Sequence, residues 1–237
     1  MAIKLVLGLS GGLDSAVLLH YALASRKIKP AEVMLVTFYY GSKHNPHELL
    51  SAEHVRQWMS VPMLNFKTVD LSGVYAKVRS NSALLSPNAV VPKGHYNDET
   101  MRQTVVPGRN LMFAAVMAAM AEAEYPGGGA VPVRLWLGVH QGDHYIYPDC
   151  RPMFVGSLTG VVDDSTESKV LVEAPFLHKT KRDIVALGLE MGTPFGLTRT
   201  CYTDAKLACG ECGSCRERLE AFTLNNHQDF IQYQRGE

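Results

Sequence analysis

Residues 3–25 read IKLVLGLSGGLDSAVLLHYALAS, and the change of pattern within them sets the architecture. Ile3–Leu9 is a nearly unbroken apolar run, the signature of a strand covered on both faces. Two glycines follow. From about Asp14 to Ser25, Ala16, Val17, Leu18, Leu19, Ala22 and Leu23 occupy most of a helical surface, as expected of a helix laid on a sheet. Outward from this unit the alternation repeats: Glu32–Phe38, Met63–Val69, Arg134–Gly138 and Val170–Ala174 read as strands. Pro46–Ser60, Asn110–Glu124, Met153–Val162 and Thr180–Met191 read as helices, the last with Thr180 as its N-cap. Strands alternating with helices predict an α/β fold, a doubly wound parallel sheet of five strands. It is expected to span 1–200, with 201–237 a small appended module. Two stretches break the rhythm. Residues 71–108 carry weak periodicity and several Gly and Pro, the mark of a functional or mobile segment. Residues 138–152 are rich in His, Asp and Tyr and follow a strand, where open parallel sheets bind ligands.

The junction Ser10-Gly11-Gly12-Leu13-Asp14-Ser15 has the makings of an anion site. Amides at the start of a helix lack partners, the helix dipole is positive there, and glycines let the backbone approach a ligand closely. The Ser10 and Ser15 hydroxyls are available to phosphate oxygens, and Asp14 is a natural N-cap that can also help hold magnesium. Neither Gly-Lys-Ser/Thr nor Gly-x-Gly-x-x-Gly is present, so this is no Walker A or dinucleotide loop. The bland alternative is a tight turn that happens to use Ser, Gly and Asp. The whole hexapeptide at the first strand–helix junction favours the phosphate loop.

Lys+Arg and Asp+Glu are both 23, so the formal net charge is zero, which counts against a large nucleic-acid surface. No apolar run reaches the roughly 20 residues of a membrane span. The opening runs straight into the loop rather than resembling a signal peptide, so a cytoplasmic location is expected. Of the five cysteines, Cys201, Cys209, Cys212 and Cys215 cluster with spacers of seven, two and two residues. Four thiolates on such short spacers suit a tetrahedral, closed, structural zinc site. A redox pair or an iron–sulfur cluster would use the same residues; ligand number and spacing favour zinc. Lys206, Arg216 and Arg218 stand near enough in sequence to offset its charge of about −2.

Together with these two motifs, YGSKHN at 40–45, VPGRN at 106–110, GVHQGDHYIYPDCR at 138–151 and Cys201-Tyr202 resemble the QueC family of PP-loop enzymes, the 7-cyano-7-deazaguanine synthases. The resemblance runs over nearly the whole chain. It implies a homodimeric ligase that converts 7-carboxy-7-deazaguanine and ammonia to the nitrile, with ATP and Mg²⁺ activating first the acid and then an amide. It further implies that Leu9, Ser10, Gly11, Gly12, Leu13, Asp14, Ser15, Ala16, Val17, Leu18 and Leu19 bind ATP, and that the four cysteines hold Zn²⁺.

The residues suit that chemistry. A carboxylate becomes an electrophile once its oxide is replaced by AMP, which needs an anion clamp and cationic help. Asp14, Arg109 and Lys179 are the candidate catalytic groups, Arg because its fork grips planar oxyanions. Either cation can instead be an ordinary surface ion pair. A deazaguanine ring calls for acceptors and a stacking partner: Asp143 and Asp149 for the first, Tyr147 or Tyr145 for the second, with Arg151 beside them. Cys150 reads as a buried small hydrophobe, and His140 and His144 as conceivable proton carriers. Two other functions share these motifs: a PP-loop tRNA thiolase, which needs a free reactive cysteine and a basic face, and a QueC-like enzyme serving another deazaguanine acceptor. A third alternative is non-enzymatic, a zinc-knuckle module on an inert scaffold that binds nucleic acid or a partner. The expected partners are small molecules, with no membrane and no nucleic acid.

Overall fold

In the computed structural model, described for residues 2–78, 80–95 and 99–234, five short parallel strands form one sheet. They are β1 (Leu5–Gly8), β2 (Val33–Tyr39), β3 (Phe66–Asp70), β4 (Val133–Trp136) and β5 (Val170–Glu173), in the order β3-β2-β1-β4-β5. Leu5 pairs with Val33 on one side and Arg134 on the other. The strand order therefore reverses direction between β1 and β4, and a crevice opens at their carboxyl ends, where doubly wound sheets bind ligands.

Alternate residues of β1 feed two cores, as a two-residue period requires. Val6 joins α4 (Arg109–Ala123) and α5 (Pro152–Ser165) on one face. Leu5 and Leu7 join α1 (Leu13–Ala24) and α6 (Lys181–Met191) on the other. Thr180 caps α6 as expected, accepting from the Asp183 amide while the Asp183 carboxylate accepts from the Thr180 amide, a reciprocal pairing that satisfies two otherwise orphaned donors. Gly192 ends the helix at φ +72°, where a side chain would be strained. α2 (Asn45–Trp58) follows β2, and the short α3 (Ser72–Tyr75) follows β3. The third strand begins at Phe66 rather than Met63, because Met63–Asn65 form a turn of 3-10 helix. No helix among the described residues is long and apolar enough to cross a membrane.

The long segment 71–108 is not structureless. It contains α3 and a 3-10 helix at Glu99–Thr104. It also leans on the cysteine region, where Gly94 N–H donates to Glu211 O and Val91 packs among the cysteines. Residues 79 and 96–98, the latter within its polar stretch, lie outside the described residues, as do 235–237 of the C-terminal module.

That module sits on the sheet domain through α7 (Gly213–Thr223), whose Ala221 and Phe222 enter the same core as α1 and α6. Its anchor is Arg218, fully buried. Arg218 is not a counter-charge to the cysteines, as its place in the sequence suggested; it meets Asp229 through both carboxylate oxygens at 2.6 and 2.8 Å and donates also to Thr198, Thr200 and the Phe195 carbonyl. Removing one member of a buried pair strands the other charge, a cost of about 3–5 kcal/mol. Arg218→Ala is expected to lose that much in urea denaturation, and a loss below about 1 kcal/mol would show the pair to be dispensable.

Candidate active site

β1 ends at Gly8 and the chain turns through Ser10–Gly12 into α1. Gly11 takes φ +77°, a conformation open to glycine. Ser10 Oγ accepts the Gly12 amide at 3.2 Å and lies 3.2 Å from Ser15 Oγ, which donates to Gly12 O. The loop is thereby held in shape before any ligand arrives. The N-cap of α1 is Gly12, not Asp14, and no side chain caps it. Among the described residues, none outside the helix therefore competes with an anion for the first amides of α1, though the Asp14 amide also faces its own carboxylate.

Asp14, one turn in, is instead the centre of a charge cluster. Lys181 Nζ, at the start of α6, lies 2.6 Å from Asp14 Oδ2 and 3.3 Å from Glu217 of α7. His140 Nε2 stands 3.8 Å from Asp14 Oδ1 and 3.3 Å from Asp143. The Gly142 amide donates to His140 Nδ1 at 3.0 Å, which leaves Nε2 as the protonated nitrogen, facing the two carboxylates. Burial alone would raise the Asp14 carboxyl, but Lys181 and His140 outweigh it and hold it below the usual range. Burial also disfavours charge on Lys181, yet Asp14 and Glu217 keep its pKa above that of an ordinary lysine. Asp14 Oδ1 is buried and makes no hydrogen bond, with His140 Nε2 its nearest charged neighbour at 3.8 Å, a carboxylate oxygen of the kind a hard divalent cation takes.

The cleft continues from this cluster to Arg109 at the start of α4, between Tyr40, Tyr147 and Tyr202. The Arg109 guanidinium lies 5.7 Å from the Tyr147 ring centre. A hydroxyl chain backs it: Thr104 Oγ1 to Tyr147 at 2.7 Å, and Tyr147 to Tyr202 at 3.2 Å. Phe38 and Phe113 stack with centres 4.0 Å apart and line the same cleft, an apolar surface suited to a planar ring.

The structure brings Leu9, Ser10, Gly12, Asp14, Ser15, Arg109 and Asp143 to the cleft. It leaves several expected residues outside the lining. Asp149 accepts the Asn110 amide at the head of α4, Tyr147 is buried behind Arg109, Tyr145 is exposed, and Arg151 reaches back to His144 O. Lys179 contributes backbone bonds at the strand end. Two residues on, Lys181 is the lysine inside. Sequence reasoning missed it because Thr180 had been read only as a cap; the first residue after that cap necessarily starts the helix that points at the crevice. Glu48 and Arg199 also line the cleft without a sequence signal, while His44 and Tyr202 belong to the quoted motifs YGSKHN and Cys201-Tyr202 but carried no assigned role.

The four cysteine sulfurs lie within 4.8 Å of one another, and Cys209 Sγ and Cys215 Sγ are 3.9 Å apart. A tetrahedral ion with Zn–S bonds of about 2.3 Å spaces its sulfurs by about 3.8 Å. Amides of Cys209 and Thr203 point at Cys201 Sγ, and those of Glu211 and Cys212 at Cys209 Sγ, the pattern that stabilises thiolates. All five cysteines are free of disulfides. The donor set of Cys201, Cys209, Cys212 and Cys215 fits zinc.

Residues 4–226 match the family model described as queuosine biosynthesis protein QueC. The chain belongs to the QueC family. It is 42% identical to the 7-cyano-7-deazaguanine synthase of Marinobacter nauticus over 226 residues, 95% of each chain. It is 36% identical to that of Marinomonas sp. over 234 residues, 99% of this chain and all of that one. A solved NMN synthetase from Francisella tularensis covers 96% of this chain and 79% of its own at a TM-score of 0.49 and 15% identity. Three of the quoted motifs converge on one cleft: SGGLDS lines one end, VPGRN supplies its arginine, and residues flanking the cysteines (Arg199, Thr200, Tyr202, Ser214 and Glu217) line it too.

Proposed function

We propose that the chain binds MgATP at the uncapped start of α1, adenylylates 7-carboxy-7-deazaguanine held beside Arg109, and lets ammonia displace AMP to give the amide. A second round of activation at the amide oxygen then gives the nitrile. That the protein is an ATP-dependent, nitrile-forming synthase of the queuosine pathway follows from its QueC membership. The order of steps and the residue roles are the proposal.

One observation carries it. The uncapped amides of α1, Lys181 and Arg109 open onto a single cleft, so an anion clamp and two cations face the space between them. The clamp suits pyrophosphate, the better-placed charges suit the α-phosphate and the carboxylate, and both act where negative charge develops. Asp14, through Oδ1, would hold magnesium, which screens the phosphates when bound. Phe38 and Phe113 offer a surface for a base. A thiolase reading fails on the cleft's own cysteine: Cys150 is buried, and that burial, with Asp143 and Asp149 nearby, pushes its thiol well up despite the opposing pull of Arg109 and the Asn110 amide, the reverse of a reactive thiolate.

Zinc-loaded protein given 7-carboxy-7-deazaguanine, ammonia and MgATP should form AMP and a product with the mass of the amide and then of the nitrile. Absence of both products would remove the assignment. Lys181→Ala should lower the rate by about 100-fold or more, as loss of a preorganised charge partner does. Lys179→Ala is the control and should stay within about threefold of wild type. The reverse ranking would return the role to Lys179.

A further inference from the structure

In the same cleft as Lys181, α2 presents a carboxyl group that the steps above do not use. Glu48 lines the cleft on a site built to orient it. Asn45 Nδ2 donates to Glu48 Oε2 at 3.0 Å. Asn45 is itself fixed, its Oδ1 accepting the amides of Tyr40 and Ser42 and its Nδ2 reaching Phe38 O. Glu48 Oε1 lies 3.5 Å from His44 Nε2. The backbone of Glu48 presses on the phosphate loop: a Cβ built on Gly11 would fall 2.4 Å from Glu48 O. The backbone of Glu48 thus adjoins the phosphate loop, while its carboxyl lines the same cleft as Arg109 and feels the charge of Arg109 and Arg199.

Resting on the function proposed above, we propose that Glu48 is the base for amide formation, taking the proton from nitrogen as ammonia attacks the acyl adenylate. Ammonia forms the new C–N bond, and the nitrogen becomes positively charged. Glu48 carboxylate removes one N–H proton. The tetrahedral carbon then expels AMP, the C–O bond electrons leaving with the phosphate, and the proton passes from Glu48 to solvent. No oxidant or reductant is involved.

The surroundings suit the task. Burial is the main influence on Glu48 and pushes its carboxyl up to about 8, with Arg109, the Asn45 amide and Arg199 pulling the other way. Such a carboxylate is a stronger base than a solvated glutamate, and its range overlaps the working pH, where general bases are most effective. The other titratable groups facing it do not compete. His44 is held neutral, its pKa brought down to about 3 chiefly by burial and also by Arg109, and the Tyr40 phenol is pushed up to about 12.

The test separates adenylylation from amidation in the zinc-loaded full chain. Carboxylate-dependent exchange of pyrophosphate into ATP reports the first step; amide formation at fixed free ammonia reports the second. In wild type the amide rate should rise with pH and level off above about pH 8. Glu48→Gln should keep exchange within about threefold, lose about 100-fold in amide formation, and lose the pH rise. Glu48→Asp should recover part of the rate together with the pH rise, which a merely structural role would not restore. Three outcomes would overturn the proposal: a Gln variant that keeps the pH rise, one that amidates at the wild-type rate, or one that loses exchange and amidation in parallel. Absence of exchange in wild type itself would instead remove the function on which Glu48's role rests, and that role with it.

Discussion

Gly11→Ala is expected to abolish tight ATP binding, while Gly12→Ala, one residue along the same loop, is expected to leave most of it. The two glycines look alike in sequence and differ in space. Gly11 sits at φ +77°, which costs a residue bearing a Cβ about 1–2 kcal/mol. The added methyl would also lie 2.4 Å from Glu48 O and 2.6 Å from Ala52 N. Both are backbone atoms of α2, a helix packed on the sheet, so neither can yield and the loop must shift instead. Moving it swings the first amides of α1 away from the position where they converge. Gly12 has φ −74°, ordinary for any residue, and its methyl would approach the rotatable Ser10 Oγ at 3.1 Å and Arg199 O at 3.6 Å, the latter an ordinary van der Waals contact. Titration calorimetry with ATP should show at least a 100-fold loss for Gly11→Ala and less than about tenfold for Gly12→Ala. Comparable affinities for the two variants would show that the loop's shape does not govern nucleotide binding.

Stripping the metal is the second large effect. Structural zinc contributes about 10–16 kcal/mol to the folding of small zinc modules, as much as the whole stability of a typical domain. Here the loss should fall unevenly. The sheet has its own two cores, whereas residues 201–215 pack as a small group of Val91, Cys201, Ala208, Cys212 and Cys215. Chelation is therefore expected to melt the C-terminal module first, exposing cleavage sites between 201 and 215 to protease while the sheet remains folded. Catalysis should fall with it, because Arg199, Tyr202, Ser214 and Glu217 all line the cleft and flank or interleave the cysteines. Cys212→Ser should mimic chelation, and added zinc should restore the chelated wild type but not the variant. Protein shown to be free of zinc yet turning over at the normal rate would contradict this account.

Local patterns in the sequence carried most of the scaffold. Period and composition point to all five strands, and Thr180 marks the start of α6 because a cap is a local property; its reciprocal pairing with Asp183 is seen in the structure. The cysteine set was legible for the same reason, since short spacers confine their sulfurs. What escaped were properties of residues brought together by the chain's crossings. Lys181 becomes a partner of Asp14 only when α6 lies beside α1, 167 positions apart. Asp149 reads as a free acceptor until α4 offers it the Asn110 amide. Asp14 looked like a cap because Asp often is one, but the two glycines before it let the helix begin earlier. Arg218 looked like a companion of the thiolates and is the companion of Asp229.

The Arg199 amide donates to Gly11 O at 2.8 Å, so the stretch that leads into the metal knot also fastens the turn that grips phosphate. Were zinc at the cysteines and a nucleotide at the loop each to steady that one bond, each would favour the other's binding by an equal factor. Zinc-depleted protein is therefore expected to bind ATP more weakly than zinc-loaded protein while its sheet is still folded.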